Sequence, residues 1–278
     1  MNIPEFIYTV LLKPAPLRAA ANAVIRALLP AQLQYHGLRL ALNPKDPVVS
    51  GALTFGLYET GEVKFFERIL QPGLTVVDVG ANIGLYTALA ARAVGESGRV
   101  IALEPEPETF GFLQQTIAAN GFQNVEPNRV AASAKPGAAR LYRNPDNRGD
   151  SRLYDDPLLK DSVAIETTTL DALLAGRAVD ILKMDAQGAE GLVLAGAQEM
   201  LANSPHLTIV MEFWPYGLER TGYDALTLLK QLAAQNFRLW EATGAALQSV
   251  GDFEALIGRL QGRRYTNLIA TRREDVQP

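Results

Sequence analysis

Residues 74–85 read LTVVDVGANIGL, and this stretch decides the fold. Leu74–Val79 is an apolar run broken by one acid, Asp78, the pattern of a strand buried on both faces. Gly80 and Gly84 then turn the chain, and Gly84–Val94 carries helical periodicity. The same alternation continues downstream. It predicts strands at Arg99–Leu103, Val125–Ala132, Asp180–Met184, Leu207–Phe213, Arg238–Ala242 and Thr266–Thr271. It predicts helices at Pro107–Asn120, Ala189–Ala202 and Tyr223–Gln235, with short strands at Ala138–Tyr142 and Ser162–Thr167 around a polar loop, Arg143–Asp161. Strands alternating with helices imply a mostly parallel, doubly wound sheet covered on both faces. Upstream of residue 70 the pattern differs. Leu17–Leu29 reads as an amphipathic helix, Gln34–Leu42 as a strand or hairpin arm, and Glu62–Leu70 as a helix. We therefore divide the chain into an accessory segment, 1–70, and a main domain, 71–278.

In a sheet of this kind ligands bind beyond the carboxyl ends of the strands. Gly80–Gly84 sits there, where glycine lets a ligand approach the backbone and a helix start offers free N–H groups. The spacing is not the dinucleotide fingerprint, since G-x-G-x-x-G from Gly80 would need glycine at Asn82 and Leu85. No phosphate-binding G-K-[ST] follows either. Glu104 ends the second strand, where an acid can accept hydrogen bonds from a ribose diol. Asp78, Gly80, Gly84 and Glu104 together point to a nucleoside site.

Composition narrows the classes further. Of 278 residues, 26 are Lys or Arg and 30 are Asp or Glu, for a net charge of −4, which argues against a nucleic-acid partner. The absence of cysteine excludes disulfides, thiolate metal sites and thiol nucleophiles, and fits a cytoplasmic location. His36 and His206 are the only histidines, too few for a multi-histidine metal site. No apolar run is long enough to span a bilayer; the Phe6–Leu12 and Leu17–Leu29 stretches leave weak peripheral membrane association as an alternative to packing on the main domain. Nothing in the sequence fixes an oligomeric state.

The segments VVDVGANIGLYTALAA (76–91), VIALEPEPETFGFLQQTIAAN (100–120), TTTLDALL (167–174) and ILKMDAQGAEGLVLAGA (181–197) resemble the FkbM-type family of S-adenosylmethionine-dependent methyltransferases. The resemblance covers roughly residues 48–272. It implies a Rossmann-like class I methyltransferase fold, with a seven-stranded, mostly parallel sheet whose last strand is antiparallel and helices on both faces. It also implies S-adenosylmethionine as cofactor and a hydroxyl group as acceptor. The expected cofactor-binding set is Asp78, Gly80, Ala81, Asn82, Gly84, Glu104, Pro105 and Asp185. Gln187 departs from the family pattern, which often has Glu there.

Methyl transfer to a hydroxyl needs alignment and a group to take the proton. His206 lies at the amino-terminal end of its strand and His36 in the accessory segment, so carboxylates at strand exits are the better candidates. Asp185 and Glu212 hold such positions, and we expect them to be the catalytic pair. Capping of the helix near Gly188 is the competing role for Asp185, and a first-turn charge is the role expected of Glu190. Two carboxylates could also hold Mg²⁺, but no third oxygen ligand can be assigned, so no metal is expected. The acceptor is expected to be a small molecule or glycan: a sugar, glycan or secondary metabolite. Arg148, Ser151 and Arg152 in the polar loop, and Phe213-Trp214-Pro215-Tyr216, are candidates to contact it; a solvated loop and aromatic core packing are the competing readings. A catalytically silent nucleoside-binding or interaction protein on the same fold and a Mg-dependent small-molecule O-methyltransferase are the rival functions.

Overall fold

The computed structural model describes residues 15–276 apart from 57, 59, 145–146, 158, 160 and 244–245; the Phe6–Leu12 reading lies outside them. The chain opens with helix α1 (Ala15–Leu28) and a hairpin, β1 (Gln32–Tyr35) and β2 (Leu38–Ala41). Helices α2 (Pro47–Thr54) and α3 (Thr60–Ile69) follow. Asp46 starts α2, its carboxylate accepting from the Val49 N–H at 3.0 Å, with Pro47 fixing the first turn.

The alternating series then runs β3 (Thr75–Val79), α4 (Leu85–Val94), β4 (Arg99–Leu103), α5 (Pro107–Asn120), β5 (Val125–Asn128), β6 (Ala131–Ala132), β7 (Gly137–Arg143), β8 (Asp161–Thr168) and α6 (Leu170–Leu174). It continues with β9 (Ile181–Met184), α7 (Glu190–Ala195), α8 (Gln198–Asn203), β10 (Thr208–Phe213), α9 (Pro215–Arg220) and α10 (Ala225–Ala234). The chain closes with β11 (Arg238–Thr243), β12 (Ala246–Ser249), α11 (Phe253–Arg259) and β13 (Thr266–Thr271).

The main sheet has the order β12-β11-β13-β10-β9-β3-β4-β5. Strands β10, β9, β3, β4 and β5 are mutually parallel, and β13 is antiparallel to both β10 and β11. That is a doubly wound α/β sheet with its last strand reversed, as expected. The expected count of seven is corrected to eight, because β12 hairpins onto β11 and adds an edge strand. Alternate residues of each central strand enter opposite core layers. Val77, Ile101, Leu182 and Ile209 pack with the helices α6 to α8 and α10 to α11. Val76, Val100, Ile181 and Val210 pack with α4 and with Leu40, Val49, Leu53, Val63 and Phe66 of the accessory segment. The accessory segment thus covers one face of the sheet.

Two predicted elements divide. Val125–Ala132 is not one strand: β5 ends at Asn128, and Ala131–Ala132 pairs with β8 in a separate three-stranded sheet. Pro127 lacks an N–H, which suits an edge strand and not a long central one. Ala189–Ala202 breaks into α7 and α8 at Gly196, where a Cβ would lie 2.1 Å from the Ser133 carbonyl oxygen.

Candidate active site

The turn after β3 is held from both sides. Gly80 and Ala81 N–H groups donate to the Leu103 carbonyl at 3.0 Å each, and the Asp185 N–H donates to the Val79 carbonyl at 3.0 Å. Gly80 has φ +78°, and a Cβ there would sit 2.1 Å from the Asp185 carbonyl oxygen. Only glycine fits this approach of β3 to β9. Glu104 closes the other side. Its two oxygens accept from the Asn82 and Glu106 N–H groups, each at 2.9 Å. Each carboxylate oxygen has a second acceptor position, so the group can still take a ligand's hydroxyls. Gly80, Asn82, Glu104, Pro105 and Asp185 line one cleft. Leu103, Val130 and Leu153 supply apolar wall.

A second cleft lies alongside. One wall comes from α2 (Val49, Ala52) and Phe55; the other holds Glu212, Trp214 and Tyr265. Asn82, Gly149, Asp185 and Gln187 line both clefts, so the two meet there. Asp185 is steadied at this junction. The Gln187 Nε2 donates to Asp185 Oδ1 at 2.6 Å, and Lys183 Nζ lies 3.6 Å from Oδ2. Lys183 is itself buried, 4.6 Å from the centre of the Tyr86 ring. A glutamate at 187, once ionised, could not make this donation; the Gln departure supplies a donor.

Several sequence expectations separate here. Gly80, Asn82, Glu104, Pro105 and Asp185 line the first cleft. Asp78, Ala81 and Gly84 are not among its walls. Asp78 is buried beneath the turn, accepting from Thr87 Oγ1 at 2.6 Å. Ala81 packs against α5, and Gly84 starts α4 at φ +93°. Asp185 and Glu212 come to one cleft, as parallel neighbouring strands require. Asp185 is not a helix cap, because α7 begins at Glu190 behind Ala189. Glu190 is no exposed first-turn charge but fully buried, its Oε1 accepting from the Ala186 N–H at 2.9 Å. In the polar loop, Arg148 and Ser151 line the first cleft, while Arg152 lines the second beside Trp214. Phe213 is core, so the aromatic run divides between the two readings. Sequence reasoning missed Lys183 and the α2 wall. The K-x-D spacing was a usable signal for Lys183; nothing local marked α2 as part of a site. Among the described residues no group of three His, Cys, Asp or Glu could hold a metal ion.

Burial pushes Glu104 and Glu190 up to about 7, and Asp46 up to about 6. The folded chain therefore keeps protons that the unfolded chain, with ordinary carboxyls near 4, has released. Stability carried by these groups is full below about pH 4 and is lost as pH rises through 6 and 7. A displacement of one pH unit corresponds to about 1.4 kcal/mol. The ligand-free protein should melt at a lower temperature at pH 8 than at pH 5.5, and Glu190→Gln should flatten that dependence. Melting curves of both proteins across this range check it; an unchanged slope in the variant would contradict the assignment.

The sheet order and the reversed β13, with a cleft at the β3, β4 and β9 exits, are those of the class I methyltransferase fold. The sequence model of the methyltransferase FkbM domain matches residues 78–239. The chain belongs to this FkbM methyltransferase family, and its cofactor is S-adenosylmethionine. Glu104 and the Gly80 turn fit that group: a buried acceptor stands at the second strand exit, and an open backbone approach at the first. Among curated proteins, the chain is 39% identical over 60 residues to a protein-L-isoaspartate O-methyltransferase of Methanococcus maripaludis strain S2, covering 22% of this chain and 28% of that one. It is also 39% identical over 57 residues to the arsenite methyltransferase of Halobacterium salinarum, covering 20% and 15%. The matches thus span less than a third of those relatives' lengths. Among solved structures, the FkbM methyltransferase of Methylobacillus flagellatus is similar at 17% identity and a TM-score of 0.43, over 91% of this chain and 59% of that one.

Proposed function

We propose that this protein methylates a hydroxyl group of a sugar, glycan or secondary metabolite. The carrying observation is that two clefts meet at Asp185, with Glu212 in the outer one. In this reading residues 71–278 form the methyltransferase domain and residues 1–70 complete the acceptor wall. Gly80, Asn82, Pro105 and Asp185 would hold the cofactor, and Glu104 would accept from its ribose hydroxyls. When bound, the cofactor supplies an already activated methyl group on a sulfonium. The chain's own work is then alignment and proton removal. Asp185, held by the Gln187 donor on one oxygen and the Lys183 charge beside the other, orients the acceptor hydroxyl and receives its proton. Glu212 positions the acceptor from the neighbouring strand.

The outer cleft's chemistry supports a neutral, hydroxylated acceptor. Its two arginines already have acidic partners: Arg152 pairs with Asp150 and Asp156, and Arg263 with Asp156 at 3.4 Å. Tyr265 offers an exposed aromatic face of the kind that packs on sugar rings, while Trp214 is buried with the Arg152 guanidinium 5.0 Å from its ring centre. Calorimetry with S-adenosylmethionine tests the cofactor assignment. Glu104→Ala should weaken binding by about 1–3 kcal/mol, the cost of removing one partner from buried polar groups. Unchanged affinity in a folded variant would remove Glu104 from the ribose.

A further inference from the structure

Helix α1 is inverted relative to an ordinary surface helix. Leu17, Ala20, Ala23, Val24, Ala27 and Leu28 are exposed on one broad face made of apolar side chains, and Arg26, also exposed, borders it. Leu17, Val24 and Leu28, spaced by seven and four, are 55%, 59% and 69% exposed. The opposite side is seated: Asn22 is buried, and Ile25 packs against Gly51 of α2. A soluble surface helix places its polar residues outward, and a contiguous exposed apolar strip marks an interaction site.

Charge indicates what covers it. Residues 1–45 hold five cations (Lys13, Arg18, Arg26, Arg39 and Lys45, the last paired with Glu108 at 2.8 Å) and one acid, Glu5, a net of +4 in a chain of −4. The remaining residues therefore carry −8. An apolar strip in a basic segment matches an anionic membrane surface, where apolar side chains enter the acyl boundary and cations meet head groups. A second copy of the chain would set two +4 segments against each other. The position fits as well. Ile25 of the same helix lines the acceptor cleft, and Phe55 and Tyr265, 57% and 59% exposed, stand at that cleft.

We propose that the exposed face of α1 docks the protein onto an anionic membrane surface, with the acceptor cleft facing the bilayer. This stands on the helix and its charge, independent of which acceptor is methylated. The test is co-sedimentation of the full chain with phosphatidylglycerol–phosphatidylcholine vesicles and with phosphatidylcholine vesicles alone. Binding to the anionic vesicles should exceed binding to the neutral ones and fall as salt is raised. The variant Leu17→Glu/Val24→Glu/Leu28→Glu should lose at least tenfold in vesicle affinity. All three positions are exposed, so its melting temperature should stay near that of the wild type, and this is measured alongside. Absence of vesicle binding, or equal binding by the folded variant, would overturn the proposal. So would a concentration-dependent dimer that the variant abolishes, because a second copy would then be the occupant.

Discussion

Asp185→Asn should lower kcat by about 10²–10⁴-fold at saturating S-adenosylmethionine, the usual contribution of a positioned general base. Asparagine keeps the size of the side chain and an acceptor oxygen, so the packing around Lys183 and Gln187 survives. It removes the oxygen that would take the proton. Cofactor affinity should change far less than kcat, because Asp185 contributes only one part of the first cleft's wall. Glu212→Gln should act differently. Glu212 lies only in the outer cleft, so its loss should raise the KM for the acceptor and leave cofactor binding intact. Steady-state kinetics with each variant measure this. Near-wild-type kcat in Asp185→Asn would mean that alignment alone carries the reaction.

Gly80→Ala should be severely damaging. The new Cβ would lie 2.1 Å from the Asp185 carbonyl oxygen, a backbone atom that cannot swing aside, at a φ of +78°. The left-handed conformation costs about 1–2 kcal/mol for a residue with a Cβ. Forcing the β3 and β9 exits apart adds about 1–3 kcal/mol, as for overpacking a core. The movement would also displace the turn that shapes the cofactor cleft, so S-adenosylmethionine affinity should fall with stability. Gly111→Ala is the control: it lies inside α5, no atom comes within 4 Å of its added Cβ, and its φ is not positive. It should stabilise by about 0.5–1 kcal/mol. Urea unfolding of both variants, with calorimetry on the folded protein, gives the comparison. A Gly80→Ala protein as stable as wild type would contradict the geometry of the turn.

The sheet was legible because its signal is local. Val76, Val77, Ile101, Ala102, Ile181 and Leu182 are apolar on both faces of their strands, and each is fully buried. Gly80 and Glu104 were legible for the same reason, since strand ends in such a sheet define where ligands sit. What escaped depended on contacts distant in sequence. Asp78 reads as a ligand residue from its motif, yet it lies under the turn, where Thr87 and Lys183 surround it. The competing reading of Asp185 as a cap falls once α7 is seen to start five residues later. Helix α2, with only eight residues, has too short a period to stand out, and its place in the acceptor wall comes from packing on α1 and the loop at Gly149. Asp46 makes part of that connection: the backbone amides of Val49 and Gly149 both reach its buried carboxylate. Strand β12 stays hidden in a polar stretch because one face of an edge strand meets solvent.

The most direct measurement follows the methyl group itself. The protein is incubated with S-adenosylmethionine carrying a labelled methyl and a pool of hydroxylated metabolites and glycans, and the labelled product is tested for stability to alkali. Label should appear in an alkali-stable methyl ether, formed by the wild type and lost in Asp185→Asn. Label released by alkali would reveal a carboxyl ester, and label on nitrogen an amine acceptor; either would contradict a hydroxyl acceptor. Cofactor binding without any transfer across the pool would instead support a chain that keeps the fold and the cleft but not the reaction.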